Sequence, residues 1–462
     1  MLEKLANVFR VPDLRKRILF TLGLLAVYRL GGHIPTPGIN ADKLSQFFDQ
    51  NRGSFLGFVD LFSGGQLRRL TVFALGIMPY ITASIILQLL TVVYEPLAKL
   101  QKEGELGRKK ITQWTRYITV ILSSVQSFGI AVGLEKGGFA LDPGWKFRLM
   151  TMLTLTTGSA FIMWLGEQIT ERGVGNGMSL LIFSGIVVGL PRGVADLFDK
   201  AKNGSWGALT FPLMIGLIIF MVAVVAFIVY VERSERRIPV QYAKRVVGRK
   251  VMGGQSTHLP LRVNAGGVMP VIFASSILSL PPMIGAGLGF TNNRYLGPVI
   301  DWLKWGEPLY TVVYAVGIIF FAYFYVSIVF NPSEVADNMR KYGGFIPGIR
   351  PGKRTADFIN EVLTRITLVG ALYLIIISFI PEWMIAGIRL NHIFLIGRYF
   401  EAMPNWVLNG LGVNFYFGGT SLLIVVGVAM DTVNQIEAQL IMRHYDGFTP
   451  RSGRIRGRRN WS

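Results

Sequence analysis

The sequence predicts an all-α integral membrane protein. It would have ten transmembrane helices in two pseudo-symmetric inverted halves, spans 1–5 and 6–10, with both termini cytoplasmic. Ten apolar stretches alternate with polar gaps, and the basic residues favour every second gap. Of the 47 Lys and Arg, 32 lie in the two tails and the even gaps, and 15 lie in the odd gaps. Positively charged loops stay on the cytoplasmic side, so one pattern sets both class and orientation. Composition agrees. The 462 residues are 51% hydrophobic and 16% charged, against roughly 25% charged in a globular domain. Mean hydropathy is +0.44. A span needs about 20 apolar residues to cross about 30 Å of hydrocarbon.

The expected spans are 18–35, 73–93, 115–134, 149–168, 178–196, 211–231, 266–287, 308–330, 364–384 and 414–436. Residues 1–14 read as an amphipathic helix on the inner surface or as a frayed tail. Leu2, Leu5 and Phe9 recur there at helical spacing beside Lys4 and Arg10. Arg15, Lys16 and Arg17 before the apolar run Ile18–Leu30 have the look of a signal peptide. The stretch Gly31–Gly38 lacks a small-x-small cleavage site, so the run is expected to be a retained span. Pro79 in span two and Pro270 in span seven are expected to kink their helices, with protein or water re-satisfying the freed carbonyls. Each falls in the second span of its half, which points to an inverted repeat over 1–196 and 197–462. Similarity between the halves is slight. Gly173-Val174-Gly175-Asn176-Gly177 follows a helix and not a strand, so it reads as a tight interhelical turn and not as a nucleotide loop. The gap at about 384–413 reads as an amphipathic helix on the outer surface.

Several function classes are excluded. There are no cysteines, so no disulfides and no thiolate metal sites. The histidines His33, His258, His392 and His444 show no ligand spacing. Ion-coupled transporters need ionisable groups at membrane depth. Here Arg29, Glu167, Arg365, Asp431 and Glu437 all lie near span ends. The polar residues inside spans are Ser, Thr and Gln, among them Thr82, Ser84, Gln88, Ser275, Ser276 and Ser279. They suit interhelical hydrogen bonds, or pairing across a seam that opens. Apolar side chains beside the glycines of spans two, five, seven and ten suit ordinary packing or a dewetting barrier to ions.

Most of the net charge of +20 falls on one membrane face. It suits anionic lipid or an acidic or RNA-rich partner, and genomic DNA is a poor candidate. Much of it sits on two long loops. In residues 232–265, alternation over Arg237–Ala243 predicts a strand, and Val247-Gly248-Arg249-Lys250 predicts a hairpin tip. In residues 331–363, Asn331-Pro332-Ser333-Glu334 leads into a short helix. The Gly- and Pro-rich stretch Tyr342–Lys353 then fixes a shape without regular structure. Long, shaped, basic loops read as docking sites.

Several long stretches match, in order, those of one family. They are Phe62-Ser63-Gly64-Gly65 with Phe73–Ile81, Gly166–Gly173 with Gly175-Asn176-Gly177, Gln255–Pro260, Phe345–Gly352, and Tyr416–Ile424. From about residue 12 to about 446 the chain resembles the SecY family, channel subunits of the bacterial protein-translocation machinery. That resemblance implies a non-enzymatic, cofactor-free channel in the bacterial cytoplasmic (inner) membrane. It would pass unfolded polypeptides across the membrane and release apolar segments sideways into lipid. It implies a hydrophobic pore ring of Ile77, Ile81, Met178, Ile182, Ile272 and Ile424. Met178 departs from the family's branched aliphatic residue, and its flexibility suits a gasket of changing diameter.

The resemblance also implies a plug, a half-helix at about 61–72 that includes Phe62, Ser63, Gly64, Gly65, Leu67, Arg69 and Leu70. Arg68 is expected to meet lipid headgroups or acidic groups at the outer rim. A lateral gate is implied near Thr82, Gln88, Ser275, Ser276 and Leu280. Arg249, Lys250 and Arg350 resemble contact sites for the ribosome and the motor. Implied partners are the small membrane subunits SecE and SecG, the SecA motor ATPase, the ribosome with its nascent chain, signal-peptide-bearing preproteins and anionic lipids, with no specific DNA. Two other readings compete. A solute transporter would need a midplane polar site that the spans do not supply. A membrane-anchored ribosome or RNA receptor would not explain the kinked, glycine-rich spans.

Overall fold

The computed structural model describes residues 11–50, 63–202, 210–242, 245–247, 250–252, 256–288, 302, 307–386 and 419–446. A helix runs through each of the ten segments expected to span. They are α1 (Pro12–Gly31), α3 (Met78–Val93), α5 (Glu105–Lys136), α6 (Trp145–Arg172), α7 (Gly177–Lys202), α8 (Thr210–Glu232), α9 (Met269–Leu288), α10 (Pro308–Val329), α12 (Lys353–Ala386) and α13 (Gly419–Asp446). The shorter helices are α2 (Ala41–Gln50), α4 (Glu95–Lys102) and α11 (Pro332–Lys341). By length and composition, six of the described helices can cross a membrane, or seven if the bent pair α3 and α4 is one span. Residues Pro12–Leu14 belong to α1 itself. Residues 1–10 and most of the gap between spans nine and ten lie outside the described residues.

Pro79 and Pro270 do not kink a helix; each helps to begin one. Pro79 sits in the first turn of α3, and Pro270 is the second residue of α9. A first-turn amide has no helical acceptor to reach, so the missing N–H costs nothing there. The apolar run continues upstream of both prolines, and that hides the true start from the sequence. Before each helix the chain runs in turns, over Val72–Ile77 and Val263–Val268. Gly76 and Gly267 both have φ 57, a left-handed conformation that suits glycine. Each turn also crosses a glycine of another helix. A Cβ on Gly158 of α6 would overlap the Val72 carbonyl, and one on Gly370 of α12 would lie 2.7 Å from the Val263 carbonyl oxygen.

The packing repeats as well. In the first half, α3 packs on α5, α5 on α6, α6 on α7 and α1 on α7. In the second, α9 packs on α10, α10 on α12, α12 on α13 and α8 on α13. The halves meet along two seams. At the front α9 lies against α3 and α5, and at the back α7 lies against α8 and α13. After Val93 the chain bends by 106° into α4, because Pro96 cannot donate the next helical bond.

The basic loops fold together. Strands β1 (Glu235–Tyr242) and β4 (Ser256–Arg262) pair antiparallel, and β5 (Gly344–Phe345) adds to the other edge of β1. The hairpin of β2 (Arg245–Val247) and β3 (Lys250–Met252) pairs Val247 with Lys250, the register expected. Ile238, Val240 and Leu261 from the first loop share a buried core with Met339, Ile346 and Ile359 from the second. Asn331 caps α11 by accepting from the Ser333 amide at 3.2 Å, as its position before Pro332 and Glu334 predicts.

A steric test follows from the close approach of α6 and α7. A Cβ on Gly177 would overlap the Gly166 carbonyl oxygen. Gly177→Ala should destabilise the detergent-solubilised protein by about 1–3 kcal/mol, seen as a lower melting temperature. Gly216→Ala, with nothing within 4 Å, should hold or raise it.

Candidate functional site: an apolar constriction

Ile77 precedes α3, Ile81 lies in its first turn, and Ile182, Ile272 and Ile424 come from α7, α9 and α13. All five are buried in one apolar cluster, and half-buried Met178 packs against it. Both halves of the chain therefore supply side chains to a single point. Ile77, Ile81, Ile182 and Ile272 line a void with Ser63, Leu75, Gly76, Met78 and Ser275. Its volume is about 10 Å³ for the centre of a water molecule, about the least room that one water needs. Ile424 and Met178 do not line the void. Ile424 shares the buried cluster around it, and the Met178 sulfur would overlap a Cβ on Gly166. Such largely apolar walls offer an ion little to replace its hydration shell.

The segment before α3 closes one side. Phe62 lies outside the described residues. From Gly64 onward the chain runs in turns and not as the expected half-helix. Two successive glycines, at φ 70 and φ 80, end any helix there. The Thr36 amide donates to the Leu70 carbonyl, and the Val72 amide to the Ile34 carbonyl, each at 2.9 Å. Leu67 and Leu70 are buried in a second core with Ala74, Leu75, Leu134, Phe147 and Leu155. Arg69 is exposed. Arg68 donates through Nε and Nη2 to the Ser45 hydroxyl on α2, each at 3.2 Å, a partner in the chain itself and not only at the outer rim.

The front seam differs from its expected form. Thr82 donates to the Met78 carbonyl and Ser275 to the Ile272 carbonyl, each at 3.0 Å, and Gln88 donates to the Ser84 hydroxyl at 3.4 Å. All three bonds stay inside one helix. Ser and Thr hydroxyls reach the carbonyl three or four residues back, so these groups are satisfied without crossing. Ser276 is buried. Leu280 lies in α9, and its side chain is outside what is described.

The back seam does carry a bond that the sequence did not signal. The Gly175 amide donates to Gln435 Oε1 on α13 across the seam, and within the first half the Val174 amide donates to Thr21 Oγ1 on α1, each at 3.1 Å. Gly173–Gly177 is the tight turn expected. A main-chain partner leaves no mark in a side-chain pattern, so only the glycines hinted at close approach. On the cytoplasmic loops, Arg350 is exposed, and its carbonyl accepts from Thr355 at 2.9 Å. Gly348 and Gly352, at φ 83 and φ 109, set the bend around it. Lys250 lies in β3, and Arg249 is outside the described residues.

The SecY family model matches residues 71–433. Protein translocase subunit SecY of Escherichia coli (strain K12) is 48% identical over 439 residues, 94% of this chain and 93% of that protein. SecY of Streptomyces griseus is 45% identical over 468 residues, 97% and 100% of the two chains. Solved structures share the fold. A protein-conducting channel matches with TM-score 0.60 at 17% identity, over 94% of both chains. A SecY protein studied for its plug domain matches with TM-score 0.61 at 18% identity, again over 94% of both. Sec61 of a canine ribosome–channel complex matches with TM-score 0.58 at 18% identity, over the same shares.

The shared core makes the two basic loops one folding unit. Ile359→Asp places a charge in that core and should open both loops to trypsin together, read by mass spectrometry of the fragments. Cleavage of one loop alone would show that they fold independently.

Proposed function

The chain belongs to the SecY family, and we propose that its isoleucine constriction is the seal of a protein-conducting channel. The observation that carries this is the meeting of Ile77, Ile81, Ile182 and Ile272, from three separated segments, around a void of about 10 Å³ with plug-segment Ser63 at its wall. Ile424 and Met178 complete the ring from behind. At rest the ring and the plug exclude water and ions. An unfolded polypeptide entering from the cytoplasm pushes the plug aside, and the branched aliphatic side chains fit around it without specific bonds.

Spans 1–5 and 6–10 act as two bodies with both termini cytoplasmic. The repeated packing and the paired Gly-x-Met-Pro turns support that division. The front seam between α3 and α9 is the lateral gate. An apolar signal helix needs to displace only side-chain packing there, since Thr82, Gln88 and Ser275 bond within their own helices. Segments then sort by transfer energy, at about −0.5 kcal/mol for each Leu against about +3 for Asp or Lys.

The joined basic loops form the docking face, with Arg249, Lys250 and Arg350 on it. Its partners are the SecA motor and the ribosome, and energy comes from them. Solved relatives bound to ribosomes support this reading. SecE and SecG are the small membrane subunits, anionic lipid surrounds the complex, and the membrane is the bacterial cytoplasmic one.

Two experiments test this. Replacing Ile81 and Ile182 together by Gly should raise resting ion conductance in planar bilayers, and an unchanged conductance would remove these residues from the seal. Arg350→Glu should abolish motor-driven transport into vesicles while the protein still inserts and assembles. Undiminished transport would sink the docking role.

A further inference from the structure

Arg29 lies near the end of α1, in a segment expected to span the membrane, where a guanidinium is costly unless it finds partners. Among the described residues its hydrogen-bond partners are two main-chain carbonyls of α7. Its Nη2 donates to Ser184 and to Gly185, the latter at 3.2 Å. The guanidinium carbon also stands 5.7 Å from the centre of the Tyr28 ring.

The plug segment meets this same point. A Cβ on Gly64 would lie 2.7 Å from the Gly185 carbonyl oxygen, 2.9 Å from the Gly185 Cα and 3.1 Å from Arg29 Nη1. Backbone of the plug therefore rests on backbone of α7, with the guanidinium against both. No side chain fits between them. Beyond Gln66 the chain cannot leave with the plug, because Leu67 and Leu70 are buried in the second core. Leu70 and Val72 are also stitched to Thr36 and Ile34 through the main chain. The stem from Leu67 onward therefore stays, and Gly64 is the point at which the segment meets α7.

We propose that Arg29 is the positioning residue that latches the plug shut. It holds the Ser184–Gly185 backbone as the seat into which Gly64 closes. The planar fork reaches two successive carbonyls with one amino group and faces Gly64 with the other, and a lysine ammonium has no such geometry. Any shift of α1 against α7 within the first half withdraws the fork and frees the turn. The proposal rests on reading this segment as the plug and goes beyond that reading in naming what holds it.

The test uses the assembled complex in planar bilayers with Arg29→Gln, Arg29→Lys, Gly64→Ala and the double variant Arg29→Gln with Gly64→Ala. Loss of a charge-assisted hydrogen bond should raise the resting open probability about tenfold in Arg29→Gln. Arg29→Lys should fall between that and the parent. Gly64→Ala should leak as well. The double variant should be no leakier than the leakier single, because both changes break one contact. A tight Arg29→Gln, or effects that multiply in the double variant, would overturn the latch. If Arg29→Gln fails to assemble, a tight Gly64→Ala overturns it instead. The Ile81 and Ile182 glycine variant, run alongside, separates the cases: leak there with a tight Arg29→Gln removes the latch and leaves the channel standing.

Discussion

Hydrocarbon offers no hydrogen-bond partner, so a non-helical backbone at membrane depth has to be enclosed by protein. The architecture around the constriction follows from that demand. The chain travels without a helix over Val72–Ile77 and Val263–Val268, and each stretch runs across a glycine on the fourth spanning helix of its half. Gly158 and Gly370 allow the approach. The helices that follow begin at Met78 and Met269, well inside the apolar runs. Their first turns bring Ile81 and Ile272 to one place. An enclosed backbone and an apolar constriction are therefore products of the same packing.

The two seams between the halves are built from different forces. The front is held by apolar surface, with its hydroxyls turned back onto their own helices. Non-directional contact of that kind can be replaced by another apolar surface at little net cost. The back carries a directed bond between the halves, from the Gly175 amide to the Gln435 side chain of α13. On the proposed reading, this bond holds the back while apolar contact at the front gives way.

Most of the fold was legible because its signals are periodic or local. Apolar runs marked a helix in each of the ten expected segments. Alternation around Ile238 and Val240 marked the sheet, the stretch between Val247 and Lys250 marked the hairpin, and Asn331 marked the start of α11. Two kinds of feature were not legible. An apolar run that continues upstream of Pro79 or Pro270 cannot say on which side of the proline the helix lies. Contacts made to main-chain atoms, such as those of Arg29 with Ser184 and Gly185, leave no complementary residue to find. The isoleucines of the candidate site were found through long shared motifs. Their spacing alone fits ordinary core packing equally well.

The bend after Val93 constrains how the front seam can move. If α3 runs along the membrane normal, a 106° turn lays α4 nearly across it. Leu97, Ala98 and Leu100 are then half-covered, and Glu95 and Lys99 reach outward as an ion pair of 3.0 Å. A rod ending in such a crosspiece resists sliding along its own axis, because sliding would drag the crosspiece into lipid or lift it off. Its opposite end is fixed by the crossing at Gly158. What remains is tilt, so α3 behaves as a door swinging on a sill and not as a piston.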